Sequence, residues 1–167
     1  DGPDMRVATC ILYDHNLFLV ALAVLVCLLG SAATARLYRH ALRADRAPQL
    51  SWIFLASVCA GSSIWSTHFI AMLGYEVPVP VTFDATLTII SIVIAVFGSL
   101  VGFFVAIRAT FPGANIVGGA LVGLAIAAMH YTGMFAYRAE GLVAWRQDHV
   151  IASLVLSVSL AAAFANV

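Results

Sequence analysis

Long apolar runs separated by short polar segments dominate this chain. A run of about 20 apolar residues is the length that an α-helix needs to cross the hydrocarbon core of a bilayer. The pattern predicts a polar lead at 1–15 and then five membrane-spanning helices, at about 16–37, 51–73, 85–107, 115–137 and 149–167. The last run is still apolar at Val167, so we expect an incomplete domain. The predicted fold class is all-α, a polytopic transmembrane helical bundle that occupies residues 16–167.

Composition supports a membrane protein and excludes several other classes. The 167 residues are 63% hydrophobic and 10% charged, with a formal net charge of zero. A soluble domain of this composition would expose apolar surface that it could not cover, so the predicted partner is the lipid bilayer. The neutral net charge gives no reason to expect a nucleic acid partner. Cys27 and Cys59 fall in the middle of apolar runs, where a free cysteine usually behaves as a small hydrophobic residue.

The basic residues predict the orientation of the helices. Four arginines are concentrated in what the pattern predicts as the short loop between the first two spans: Arg36, Arg39, Arg43 and Arg46. Loops rich in arginine and lysine stay on the cytoplasmic side, which places the N-terminus outside. The prolines of segment 74–84 predict an outer loop, and residues 108–114 predict a tight inner turn.

An internal repeat relates the second and third spans to the fourth and fifth. A shift of 62 positions superimposes His68 on His130 and Met72 on Met134, and it also superimposes Gly61 on Gly123. The predicted copies are 51–107 and 115–167. Both begin with a helix that runs outward and end with one that returns, so this is a parallel repeat of two helices.

The two repeated histidines are the best candidates for a chemical role. Ionisable residues inside a membrane span are costly and mark functional sites by default. A methionine four residues after each histidine lies on the same helix face. Met129 points about 100° away from His130 round the helix, which ranks it below Met134. His15 and His149 begin predicted spans at the same membrane face. The candidate metal ligands are therefore His68, Met72, His130, Met134, Met129, His15 and His149.

Imidazole and thioether donors form a soft ligand set that suits copper. Haem b is the alternative, because it accepts paired histidines or histidine and methionine as axial ligands between helices. A purely structural role, in which the histidines stabilise the packing of neighbouring helices, would also explain their presence in the spans. Solute transport is the weakest interpretation, since the inner halves of the spans are almost wholly apolar. Candidates that could orient the ligands from a second layer are Tyr131, Thr67, Glu76 and Asp84.

Three segments carry a family resemblance: 14–17 (Asp-His-Asn-Leu), 65–73 (Trp-Ser-Thr-His-Phe-Ile-Ala-Met-Leu) and 128–134 (Ala-Met-His-Tyr-Thr-Gly-Met). From Tyr13 onward the chain resembles the bacterial MHYT integral membrane sensor domain. Members have three Met-His-Tyr-Thr motifs on about seven spans. This chain has two such motifs, the second of them at 129–132. In the first, Thr67 stands where the family has methionine.

The resemblance implies a multi-pass sensor of the bacterial inner membrane that binds copper near the outer face. It implies sensing of a diatomic gas (O2, CO or NO) or of redox state, and signalling to a cytoplasmic domain or protein that turns over cyclic di-GMP. The chain itself would not be an enzyme, although a longer parent protein could carry a diguanylate cyclase or phosphodiesterase domain. A homodimer is left open.

Overall fold

The structure, a computed structural model, describes residues 16–74 and 81–139 together with 155, 157–161 and 163. Its helices are α1 (Leu17–Arg43), α2 (Arg46–Leu73), α3 (Ala85–Arg108) and α4 (Ala114–Ala136), and its short strands are β1 (Val81–Phe83) and β2 (Tyr137–Ala139). The described residues from 155 to 163 are also helical. All four bounded helices are long and apolar enough to cross a membrane. The predicted all-α membrane bundle is therefore confirmed.

Local sequence signals explain where the helices begin. The side-chain oxygen of Asn16 accepts hydrogen bonds from the backbone N–H groups of Phe18 and Leu19 at the start of α1. Asp84 does the same for Leu87 at the start of α3, at 3.1 Å. Such N-caps satisfy backbone donors that the first helical turn leaves without partners. Gly113 precedes α4 with a φ of 84°, a conformation that glycine adopts without strain.

The arginines lie on helices, so their assignment to a loop was wrong. Helix α1 continues through Arg36 and Arg39 to Arg43, and α2 begins at Arg46, which leaves two residues between the helices. Arginine is a good helix former, so the sequence gives no reason for α1 to end before it. Pro48 lies in the first turn of α2, where its missing N–H breaks no helical hydrogen bond.

Hydrogen bonds tie the helix ends together in two places. Asn16 N–H donates to the Gly74 carbonyl at 2.8 Å, and Asp84 N–H donates to the Ala136 carbonyl at 2.9 Å. We call the end of the bundle where these two hydrogen bonds lie the histidine end. The opposite end is called the arginine end, and it contains Arg43, Arg46, Arg108 and Ala114. Strands β1 and β2 pair in antiparallel fashion at the histidine end, with Phe83 opposite Tyr137. The sequence pattern did not predict these strands.

Two glycines at equivalent positions of the repeat allow close helix contact. A Cβ built on Gly61 of α2 would lie 2.5 Å from the Cα of Val96 in α3. A Cβ built on Gly123 of α4 would lie 2.8 Å from the Cα of Val158. Gly61 and Gly123 are 62 residues apart, and so are Val96 and Val158. The same backbone approach therefore occurs in both helix pairs. Small residues permit such approaches between membrane helices.

Candidate metal centre

The structure brings His68 of α2 and His130 of α4 into direct contact. Their Nδ1 atoms are 3.3 Å apart, and their ring centroids are 4.8 Å apart with the planes at 71°. Each histidine lies five or six residues before the end of its helix, which corresponds to roughly 8 to 9 Å of helix length. The pair therefore lies within the apolar part of the bundle, near its histidine end.

The contact between two Nδ1 atoms restricts the protonation of the pair. A neutral imidazole has one nitrogen that donates and one that accepts. A hydrogen bond between the two Nδ1 atoms therefore needs a proton on one of them and a lone pair on the other. Without that proton, both Nδ1 lone pairs point into the same small space, as two ligands of one metal ion would.

Two polar atoms beside the pair are buried without hydrogen-bond partners among the described residues: His68 Nε2 and Thr67 Oγ1. The His68 ring packs against the backbone of α4, where a Cβ built on Gly133 would lie 2.6 Å from Nε2. Buried polar groups in folded proteins nearly always have a partner, so each exception calls for an explanation. Thr67 also lines a cavity beside the pair, so a ligand bound there would give its hydroxyl a partner.

A cavity of about 410 Å³ adjoins the histidine pair. Helices α1, α2 and α4 and Ser157 form its walls. Its lining combines two imidazoles with a thioether, a thiol and a phenol, from His68, His130, Met129, Cys27 and Tyr131 respectively. Thr67 also lines it.

The methionine that lines the cavity is Met129, the one that the sequence ranks below Met134 as a candidate ligand. Met129 lines the cavity and is 1% exposed. Met72 and Met134 are half-buried, and neither lines it. The reason is the helical rotation of about 100° per residue. Because the histidines face each other between α2 and α4, the cavity opens to one side, and the preceding residue, Met129 or Thr67, is turned toward it.

The other candidates occupy different places. Tyr131 contacts His130 edge-to-face, with ring centroids 5.1 Å apart. Asp84 caps α3 through Leu87, which gives its carboxylate a structural role. His15, Glu76 and His149 lie outside the described residues.

Sequence reasoning missed Cys27 and Gly133 as members of the site. Gly133 belongs to the motif at 128–134, three residues after His130, and that spacing was a usable signal. Cys27 gave no signal, because nothing in its apolar run distinguishes a cavity wall from a lipid face.

Within the part of the chain that the structure describes, no three His, Cys, Asp or Glu side chains come together as a metal site. The described donors beside the cavity include the two imidazoles and the Met129 thioether. Such a donor set is soft and poor in charge, unlike the carboxylate sites of magnesium or calcium.

The fold and this pair define a polytopic membrane protein with a histidine centre inside its helical bundle. The family model MHYT, described as a bacterial signalling protein N terminal repeat, matches residues 61–119 and 123–167. The two matches cover more than half of the chain, and they begin 62 residues apart. The chain belongs to the MHYT family.

Several bacterial signalling proteins are similar to it. The chain is 38% identical to an uncharacterized signaling protein of Caulobacter vibrioides over 95% of its own length and 20% of that protein. In Pseudomonas aeruginosa it is 36% identical to the bifunctional diguanylate cyclase/cyclic di-GMP phosphodiesterase MucR, over 74% of this chain and 18% of MucR.

The cyclic di-GMP phosphodiesterase NbdA of the same organism is 35% identical over 86% of this chain and 18% of NbdA. The chain thus spans about a fifth of the length of these relatives. No solved structure matches it.

Proposed function

We propose that this chain is a sensor unit that binds one copper ion between His68 and His130. The observation that carries the proposal is the 3.3 Å approach of the two Nδ1 atoms beside a cavity that also holds the Met129 sulfur. Histidine and thioether donors suit Cu(I), and a set dominated by histidine also accepts Cu(II).

The residues present fit such an ion. Two ligand nitrogens 3.3 Å apart are compatible with neighbouring positions round a metal that forms bonds of about 2.0 Å to each imidazole. Met129 would supply the sulfur donor, and His15 or His149 remain candidates for a further position. Tyr131 would hold His130 in its orientation through their ring contact, and Gly133 lets the His68 ring lie against α4.

Haem bound between the two histidines is less well supported. Axial imidazoles of a haem lie on opposite faces of the macrocycle, with the iron between them. Here the two rings contact each other directly, with centroids 4.8 Å apart. A macrocycle between them would require α2 and α4 to separate, and the close packing of His68 against Gly133 opposes that movement.

The signal would be a diatomic gas that binds at the metal, or the oxidation state of the metal itself. The chain's own residues would respond through packing. A shift of His68 or His130 moves α2 relative to α4, because both rings are held in the interface between these helices. Small movements at a packed interface can be amplified, since packed helices tend to adopt discrete arrangements.

A cytoplasmic partner that turns over cyclic di-GMP is the proposed output. Support comes from the names of MucR and NbdA and from the small fraction of their length that this chain covers. The proposed location is the bacterial inner membrane, with the N-terminus outside. The arginine end would then face the cytoplasm, as arginine-rich ends of membrane helices usually do.

Elemental analysis and X-ray absorption spectroscopy of the purified chain, before and after loading with Cu(I), test the proposal. We expect one copper per chain, with nitrogen and sulfur in its first coordination shell. The sulfur contribution should disappear in Met129→Leu and persist in Met134→Leu, the matched control. Copper at trace level after loading would contradict the proposal, and a Soret band in the same sample would favour haem.

A further inference from the structure

A second cavity of about 430 Å³ lies beside the first and shares two wall residues with it, Cys27 and Thr67. The rest of its lining is apolar and comes from α1 and α2. These residues are Val20, Ala23, Val24, Leu28 and Ala71. The two cavities therefore adjoin at Cys27 and Thr67, and the first of them reaches the histidine pair.

The second cavity opens beside exposed apolar side chains of α1. Val24 is 53% exposed and Leu28 is 64% exposed, and both belong to a helix that is apolar enough to span a membrane. In a bilayer, exposed apolar side chains of this kind suit contact with hydrocarbon. Ala71 is also exposed, on the α2 side of the same opening.

A wall of aromatic rings covers a different side of the histidine pair. The ring of Phe69, which is buried, contacts His68 with centroids 5.2 Å apart and Phe83 of β1 with centroids 5.6 Å apart. Phe83 in turn contacts Tyr137 of β2. This wall lies at the histidine end, between the site and the paired strands. Among the residues that the structure describes, this aromatic wall does not extend to the side toward α1, where the two cavities adjoin.

We infer that small apolar molecules of the class of dioxygen reach the His68–His130 pair sideways from the membrane interior, through the second cavity and past Cys27 and Thr67. Apolar cavities stay dry and accept apolar guests, so a nonpolar diatomic passes without stripping water from polar walls. For a hydrated ion or a polar solute, an apolar passage offers no compensation for the water that it would lose. The identity of what binds at the pair rests on the proposed function, but the route itself does not.

Substitutions can narrow the route without touching the histidine pair. Ala71→Phe and Val24→Trp place a ring at the opening, and both positions are exposed, so the larger side chain has room to turn. Ala21→Phe is the matched control. It lies on α1 and is exposed, but it does not line either cavity.

A nitroxide in the first cavity can report collisions with dissolved molecules. We would attach it in lipid nanodiscs to Ile126→Cys, in a background in which the three cysteines of the chain are replaced. The replacements are Cys10→Ser, Cys59→Ala and Cys27→Ser, and the last of these nearly keeps the size of the wall residue that the two cavities share. Power-saturation electron paramagnetic resonance then compares accessibility to dioxygen with accessibility to a water-soluble nickel chelate. The protein is metal-free throughout, so failure of the route and failure of copper binding are separate results.

We expect high accessibility to dioxygen and low accessibility to the nickel chelate. Accessibility to dioxygen should fall several-fold in Ala71→Phe and in Val24→Trp and stay unchanged in Ala21→Phe. Equal dioxygen accessibility in all variants would overturn the lateral route. Nickel accessibility that matches that of dioxygen would also overturn it, because it would mean that the site opens to water. If one ring variant fails to fold, the other decides.

Discussion

The two copies of the repeat supply the same histidine but different neighbours for it. His130 follows Met129, whereas His68 follows Thr67. Gly133 lies three residues after His130 and lets the His68 ring approach α4. The equivalent position after His68 is Ala71, which lines the second cavity instead. The second copy thus places the Met129 thioether beside the pair, together with the surface at Gly133 on which the His68 ring packs. The first copy places the buried hydroxyl of Thr67 and an apolar cavity wall there.

This difference separates the scaffold, meaning the helix packing that both copies share, from the side chains beside the histidines, which differ between the copies. The scaffold is repeated, since Gly61 and Gly123 bring each histidine helix equally close to the helix that follows it. Parallel copies bring both histidines to the same membrane level, where they meet. The side chains beside the histidines are not repeated, since Thr67 corresponds to Met129 and Ala71 to Gly133.

Gly61→Ala and Gly123→Ala should destabilise the bundle most, and to a similar extent. In each variant the new Cβ would meet backbone atoms of the next helix, which cannot move aside alone. Overpacking of this kind costs about 1 to 3 kcal/mol. Gly133→Ala is the matched control, because the atoms nearest to its Cβ belong to side chains, namely the His68 ring and, at 3.5 Å, the Phe69 ring. Unfolding in a detergent titration measures the effect, and a large loss in one copy alone would refute the repeated scaffold.

Gly133→Ala should instead damage the metal centre. The added methyl pushes the His68 ring away from α4, and changes in residues that orient metal ligands typically cost 10- to 100-fold in metal affinity. Ala71→Gly, the equivalent position of the other copy, should leave copper affinity unchanged. Competition with a Cu(I) chelator measures both. Equal effects at the two positions would remove the asymmetry between the copies.

Met129→Leu should lower Cu(I) affinity by about tenfold, the loss of roughly 1.4 kcal/mol of binding free energy. Leucine preserves the volume of methionine, so stability should change little. Met134→Leu and Met72→Leu remove a thioether that does not line the cavity, and we expect no change. The same chelator competition applies, and a larger loss in Met134→Leu would restore the ranking that the helical pattern gives.

Thr67→Met should have the smallest effect and the opposite sign. It places a thioether in the first copy at the position that Met129 occupies in the second, and Thr67 already lines the cavity. We expect Cu(I) affinity to rise a few-fold and the sulfur contribution to the X-ray absorption spectrum to grow. An unchanged spectrum would mean that Thr67 is not equivalent to Met129 in the site.

The sequence predicts the helices and the pairing of the histidines because both depend on regular features. Apolar runs of the right length give the spans, and a 62-residue shift brings His68 and His130 to the same membrane level. The choice between Met129 and Met134 depends on the side from which the cavity opens, and that follows from the way α1 packs. The β1–β2 pair and the continuation of α1 to Arg43 also depend on contacts or helix ends that hydropathy does not encode.

A double-mutant cycle on His68 and His130 tests most directly whether the two copies build one centre. Copper stoichiometry and Cu(I) affinity would be measured for the wild-type chain, His68→Ala, His130→Ala and the double variant. One shared site predicts one copper per chain and a loss in either single variant as large as in the double variant, because effects within one unit are not additive. Two coppers per chain, or half of the copper retained in each single variant, would contradict it.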